Sequence, residues 1–171
     1  TPEPLLLAQV TAKLKPILES PNIGKIAHNG KQCMAVLADY GVKLEGLSFD
    51  TMIAAHLLGE KNLTLKALAF NRLGMEFTPS PLVGEGRVRQ GERIGAGEKQ
   101  GSLTALTVQQ VADYACANVN LIWSLRDSLK EELGLQALCQ LFTAVEMPLV
   151  PVLVAMERDG IALDTGLLGK M

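Results

Sequence analysis

The stretch Lys25-Ile-Ala-His-Asn-Gly-Lys-Gln-Cys-Met-Ala-Val-Leu37 predicts a strand, a tight turn and a helix in direct succession. Gly24 to Ala27 is short and apolar, as in a buried strand, and His28-Asn29-Gly30 has the composition of a turn. From Gln32 to Tyr40 the apolar side chains recur at helical spacing, and Gly41 ends that helix.

A second unit of the same kind follows. Leu44 to Phe49 predicts another strand, and Asp50-Thr51 predicts the N-terminal cap of a helix from Met52 to Leu58 that Gly59 ends. Two strand–helix units in succession imply parallel strands, because a parallel connection needs a helical crossover. The sequence therefore predicts a helix-rich α/β fold with two or three short parallel strands covered by about six helices.

Helices also dominate the prediction for the rest of the chain. Leu63 to Leu73 predicts one helix, and Thr107 predicts the cap of a long helix from Val108 to Leu133 that Gly134 ends. Leu135 to Ala144 predicts a further helix.

The stretch from Gly84 to Gly101 differs from its surroundings. It contains six glycines, four basic and three acidic side chains. Such a segment buries too little apolar area to offset its ordering entropy, so it predicts a mobile loop. The arginines of this stretch could bind phosphate, but the interleaved glutamates cancel most of their positive potential. No aromatic ring lies there to stack a base.

The composition limits the possible functions. The chain has 171 residues, 48% of them apolar and 4% aromatic, and a formal net charge of −2, which gives no general attraction to nucleic acid. Its cysteines are far apart and form no C-x-x-C pair, which argues against a zinc ribbon and favours reduced thiols in a cytoplasmic protein. The most apolar run, Met147 to Met156, is interrupted by Pro148 and Pro151 and is shorter than the about 20 residues of a membrane span.

Four blocks of the chain resemble, in the same order, segments of family A DNA polymerases, the family of bacterial DNA polymerase I. The first is the opening stretch, similar to the family's N-x-K-Y-D-x-x-x-L, and the second, Leu44 to Leu58, is similar to L-x-G-x-x-F-D-T-M-x-x-x-x-L-L. The third, Tyr114 to Leu125, is similar to Y-x-x-x-D, and the fourth, Glu146 to Asp164, resembles the start of the polymerase domain. The resemblance implies a truncated ribonuclease H-like 3′–5′ exonuclease domain in residues 1–144 and the beginning of a polymerase domain in residues 145–171.

The resemblance also implies that the nuclease site is degenerate. In the family the two aspartates of these motifs are metal ligands and the tyrosine orients the attacking water. Here Cys33 and Asn118 stand at the aspartate positions, while Tyr114 remains. Two-metal hydrolysis needs hard oxygen ligands, mainly carboxylates, so no residue of this chain is predicted to be catalytically active and no metal or other cofactor is expected in it. Mg²⁺ is expected only for the parent polymerase.

Ordinary structural roles compete with these assignments. Cys33 can equally be a small buried core residue, Tyr114 can pack its ring in a helix, and Asp50 is expected to be a helix cap. Asn29 and Lys31 match positions that approach the DNA end in the family, although Lys31 can also be an ordinary solvated lysine.

Three functions remain open. The resemblance favours a fragment of a DNA polymerase whose exonuclease-like domain is inactive and structural, with DNA as the partner of the parent protein. The alternatives are an active or residual metal-dependent 3′–5′ exonuclease and a module that binds single-stranded DNA. The family's first acidic motif, D-x-E, is absent, so the chain is expected to begin inside the domain. Missing first strands would leave an open sheet edge and so favour a homo-oligomer of the fragment.

Overall fold

The computed structural model describes residues 6–75 and 107–162, together with Gly166 and Gly169. The predicted loop from Gly84 to Gly101 lies outside the described residues. Within the described ranges the helices and strands are, in chain order, α1 Leu7–Leu18, β1 Lys25–Ala27, α2 Gly30–Asp39, β2 Leu47–Asp50, α3 Thr51–Leu57, α4 Leu65–Leu73, α5 Val108–Leu135, α6 Cys139–Leu141, a π-helical turn Phe142–Glu146, and α7 Met147–Asp159.

The two strands pair in parallel, as the two strand–helix units predicted. Ile26 lies opposite Phe49 and Ala27 opposite Asp50, with an irregularity in register before Ile26. The prediction of a buried first strand was wrong, because all three residues of β1 are only half-buried. In the described part of the chain the sheet has two strands, so β1 is not enclosed by neighbours on both sides as a central strand would be.

Local capping explains where the helices begin. Asn29 adopts the left-handed conformation, with φ 64°, and its side chain accepts a hydrogen bond from the backbone of Gln32, so α2 starts at Gly30 rather than at Gln32. Thr64 caps α4, and Thr107 forms a capping box with Gln110 at the start of α5, as predicted.

The prediction for the end of α5 was wrong. The helix does not stop at Gly134 but continues to Leu135. Gly134 has open space around it and keeps helical geometry, which costs less than breaking the hydrogen bonds of a long helix. Beyond the end of α5, Ala137 adopts the left-handed backbone conformation, with φ 58°.

The hydrophobic core lies between the sheet and three helices. Every fourth residue of the second half of α5 is buried, and this stripe packs against α3 and α4. The rings of Phe49 on β2 and Phe142 in the π-helical turn lie with their centroids 4.8 Å apart. The buried members of the core are Phe49, Ala54, Ala55, Leu68, Leu125, Leu129, Leu133 and Phe142.

Asp50 joins the two strand–helix units. Its side chain is 1% exposed and accepts hydrogen bonds from four backbone N–H groups, two at each helix start. Oδ1 accepts from Asn29 at 3.2 Å, and from Met52 at 2.8 Å and Ile53 at 3.3 Å. Oδ2 accepts from Gly30. The carboxylate therefore caps α2 and α3 together.

Gly30 is closely surrounded by the side chains of Leu47 and Asp50. A Cβ at Gly30 would lie 2.5 Å from Leu47 Cδ2 and 3.1 Å from the Asp50 carboxylate. A larger residue at Gly30 would therefore require the Leu47 side chain to move and would press against the Asp50 carboxylate.

Residues Cys139–Asp159 form one continuous helical stretch of 21 residues that is long and apolar enough to cross a membrane by length and composition. The ten-residue apolar run Met147 to Met156 lies between Glu146 and Glu157, whereas the helical stretch extends past both of these residues. Both prolines of this run lie within the helix, Pro148 in the first turn after the π-helical turn. One face of this stretch packs against α2 and β2, and 17% of its most apolar window is buried within the described part of the chain, so a single helix of this kind is weak evidence for a membrane span.

We expect Asp50→Ala to lower the free energy of unfolding by about 3 kcal/mol or more, because it leaves buried N–H groups at two helix starts without an acceptor. Asp50→Asn should cost less, since its carbonyl oxygen can keep the Oδ1 partners and only the acceptor for Gly30 is lost. Urea denaturation measures both. Asp127→Ala, at a carboxylate that is 61% exposed, is the control. Equal stabilities for Asp50→Ala and this control would contradict the capping role.

Candidate functional site

The predicted DNA-contact residues lie in a cleft between the N-terminal ends of α2 and α3 on one side and α7 on the other. The cleft has a volume of about 190 Å³. We call it the α2–α7 cleft, and its lining residues are Asn29, Lys31, Asp50, Met52, Ile53, Glu146, Leu149, Val150 and Leu153.

Asn29 and Lys31 are both engaged in contacts within the protein. The Asn29 amide donates to Gln32 Oε1 at 3.0 Å, and its carbonyl oxygen accepts from the Gln32 backbone. Lys31 Nζ lies 2.5 Å from Glu157 Oε1 on α7. Lys31 thus forms an ion pair with α7 while 39% of its side chain stays exposed, and its contact with DNA stays a prediction.

Cys33 lies one turn further along α2, and its side chain is exposed. The interpretation of Cys33 as a small buried core residue was therefore wrong. The α2 helix turns its buried side toward β1 and α7, and Cys33 does not lie on that side. Partial desolvation by its surroundings raises the pKa of the Cys33 thiol, and the negative charge of Asp50 raises it further. The neutral thiol is therefore favoured over the thiolate.

Tyr114 and Asn118 lie one turn apart on the N-terminal half of α5, and both are half-buried. This placement puts them on one side of the helix, as the spacing of four residues requires. Helices α2 and α5 both contact β1, which connects the elements that carry the two motifs. Convergence of Cys33, Tyr114 and Asn118 into a single site stays a prediction.

The residues at these positions do not fit a pair of divalent metal ions. Mg²⁺ and Mn²⁺ prefer carboxylate oxygens, whereas Cys33 offers a neutral thiol and Asn118 one amide oxygen. Asp50, a nearby carboxylate, already accepts four backbone hydrogen bonds. Among residues 6–75 and 107–162, no three His, Cys, Asp or Glu side chains lie close enough to hold a metal ion.

His28 lies between β1 and the start of α2 and contacts the second unit. Its Nδ1 is 2.9 Å from the hydroxyl oxygen of Thr51, which itself donates to the carbonyl of Ala27 at 3.3 Å. Desolvation by burial lowers the pKa of His28. The charge of Asp50 and a backbone hydrogen bond with Leu63 act in the opposite direction but do not outweigh that desolvation.

Neither Glu146 nor Glu157 was predicted from the sequence as part of a site, yet Glu146 lines the α2–α7 cleft and Glu157 pairs with Lys31. Glu157 pairs with a residue 126 positions away, so no local pattern could have revealed the contact. The available signal was their place in the apolar fourth block, where two acidic residues flank a run of aliphatic side chains.

Comparisons with known proteins agree with this fold. The family model for the 3′–5′ exonuclease of DNA polymerase A matches residues 1–134. DNA polymerase I of Chloroflexus aurantiacus is 39% identical over 164 residues, which is 95% of this chain and 16% of that protein. DNA polymerase I of Pseudomonas aeruginosa is 30% identical over 171 residues, which is 98% of this chain and 18% of that protein. The chain belongs to the 3′–5′ exonuclease family of the family A DNA polymerases.

A solved structure shows the same fold. The POL domain of Pol1 from M. smegmatis, in complex with DNA primer-template and dNTP, superposes with a TM-score of 0.69 at 30% sequence identity. The match covers 96% of this chain and 24% of that chain. The chain spans less than a fifth of the length of the two DNA polymerases I named above.

The lowered pKa of His28 predicts a pH-dependent stability. The unfolded chain takes up a proton near pH 6.5, whereas the folded protein does so only at lower pH. The contribution of His28 to the free energy of unfolding is therefore fully present above about pH 6.5 and is lost as the pH falls below this value. His28→Gln should flatten the fall in the free energy of unfolding between about pH 7 and 5.

Urea denaturation across this pH range measures the effect. His56→Gln is the matched control, because it removes the other histidine of the chain, which is exposed on the neighbouring helix α3. A wild-type slope in His28→Gln would contradict the account.

Proposed function

We propose that this chain is a 3′–5′ exonuclease domain that does not hydrolyse DNA and serves as a structural platform within a family A DNA polymerase. The observation that carries the proposal is the pair of residues at the family's metal-ligand positions. Cys33 and Asn118 carry no negative charge there, because partial desolvation and the charge of Asp50 raise the pKa of the thiol, which favours its neutral form, and an amide does not ionise.

The energetics of metal binding support this proposal. A divalent metal ion exchanges part of its hydration shell for protein ligands only where several negative oxygen atoms offset that loss. The buried carboxylate of Asp50 is not available for this exchange, because moving it would strip two helix starts of their acceptor. Losing either aspartate would weaken the site, and this chain lacks both.

The parent protein is proposed to be a DNA-directed DNA polymerase that acts in the cytoplasm with Mg²⁺. The support comes from the matched DNA polymerases I and from the M. smegmatis structure, whose bound DNA primer-template makes DNA the proposed partner. We place the junction between the exonuclease-like and polymerase domains at residues 144 and 145. This junction lies inside the continuous helical stretch from Cys139 to Asp159.

The retained Tyr114 favours a second candidate, a residual metal-dependent 3′–5′ exonuclease. In the family this tyrosine orients the attacking water, and here it lies half-buried beside Asn118 on α5. A third candidate, a module that binds single-stranded DNA, is supported by Asn29 and Lys31 at the α2–α7 cleft. Both candidates give outcomes that differ from those of the inactive platform.

Self-association of the isolated chain is a further part of the proposal. The described sheet has only two strands, so a backbone edge is available for pairing with another chain. Light scattering should give a mass above that of the 18.3 kDa monomer, and a monomeric mass at high concentration would contradict it.

We expect the 171-residue chain to release no nucleotide from a 3′-labelled single-stranded oligonucleotide in Mn²⁺ beyond the background without protein, since the site lacks the carboxylates that hold the metal. Tyr114→Phe should then behave like the wild type. Its matched control is Tyr40→Phe, at the other tyrosine of the chain, which is 53% exposed.

Release that requires Mn²⁺ and disappears in Tyr114→Phe but not in Tyr40→Phe would overturn the proposal in favour of the residual exonuclease. Release that survives in both variants would have another source than this site.

A further inference from the structure

We infer that the Glu157 carboxylate of α7 binds the Lys31 ammonium group in place of a DNA phosphate. In this way α7 limits the access of DNA to the proposed contact at Lys31. The inference rests on the third proposed candidate, the binding of single-stranded DNA through Asn29 and Lys31 at the α2–α7 cleft. It assigns to α7 a role in limiting access to the domain that precedes it.

The first observation is the pairing itself. Lys31 Nζ and Glu157 Oε1 lie 2.5 Å apart and belong to elements 126 residues apart in sequence. A carboxylate and a phosphodiester oxygen bind an ammonium group in the same way, as negatively charged acceptors. Glu157 therefore takes one of the three donors of the Lys31 ammonium group and offsets its charge, so it competes with any phosphate that approaches Lys31.

The second observation is that the other groups at this helix start are already in use. The N–H groups of Asn29 and Gly30 donate to Asp50, and the Asn29 side chain is bonded to Gln32. The start of α2 therefore presents few free donors to an incoming anion. Of the two residues predicted to contact DNA, Asn29 and Lys31, Lys31 is the one with a positive charge. The Glu157 carboxylate neutralises that charge.

The third observation is that α7 is fixed in this position at more than one point. Its aliphatic side chains Leu149, Val150 and Leu153 form one wall of the cleft, and Val150 is 2% exposed. Arg158, next to Glu157, lies 4.0 Å from Asp39 near the other end of α2. The two ion pairs have opposite polarity, and both join α7 to α2.

The strength of the contact between Lys31 and Glu157 depends on how exposed the two side chains are. The Lys31 and Glu157 side chains are 39% and 58% exposed, so the ion pair is a surface pair rather than a buried one. Surface ion pairs contribute little free energy, which makes Glu157 a competitor that a phosphate can displace. Removing its charge should increase the affinity for a phosphodiester by about two- to fivefold.

The test is fluorescence anisotropy of the 171-residue chain with a labelled oligothymidylate of about 12 nucleotides. Glu157→Gln should bind about two- to fivefold more tightly than the wild type at about 50 mM salt, with a salt slope steeper by about 0.7. Glu131→Gln is the matched control, because it removes the same charge from an exposed position on α5. Lys31→Gln/Glu157→Gln should lose the gain, and thermal melting checks that each variant is folded.

The inference is overturned if Glu157→Gln and Glu131→Gln bind equally, if the double variant keeps the gain, or if no variant binds the oligonucleotide. Each of these results leaves the proposed function intact, because the nuclease assay measures that separately. Conversely, Mn²⁺-dependent nucleotide release would contradict the inactive platform without changing the comparison between Glu157→Gln and its control.

Discussion

The Asp50 carboxylate accepts hydrogen bonds from the starts of α2 and α3 while it is buried at the end of β2. Each helix start presents N–H groups without an intrahelical partner, and burying them unpaired would cost free energy at both places. One side chain meets both requirements because the parallel strands bring the two helix starts to the same edge of the sheet. The positions of Gly30, Cys33 and Lys31 on α2 depend on this contact.

Much of the fold was predictable from local sequence. Parallel strands followed from two strand–helix units, and the caps at Asp50 and Thr107 followed from residue type and spacing. The prediction failed where tertiary context decided the outcome. Gly134 lies one residue before the end of α5 and stays helical, and Pro148 and Pro151 both lie inside α7.

The candidate site was predictable only in part. The resemblance identified Cys33, Tyr114 and Asn118, and the predicted contacts Asn29 and Lys31 both line the α2–α7 cleft. The exposure of Cys33 and the pairing of Lys31 with Glu157 depend on how α7 packs against α2, and that packing joins residues more than a hundred positions apart. Long-range contacts of this kind leave no periodic trace in a single sequence.

The central claim is that this site cannot hold the metals of an exonuclease, and electron paramagnetic resonance of Mn²⁺ tests it most directly. The spectrum of free hexaaqua Mn²⁺ loses intensity when a protein binds the ion, so titration of the 171-residue chain counts bound metal. The account predicts that the free-ion signal is the same with and without the protein, and that Cys33→Ser/Asn118→Ala leaves it unchanged. Stoichiometric loss of the free-ion signal that this double variant abolishes would contradict the account.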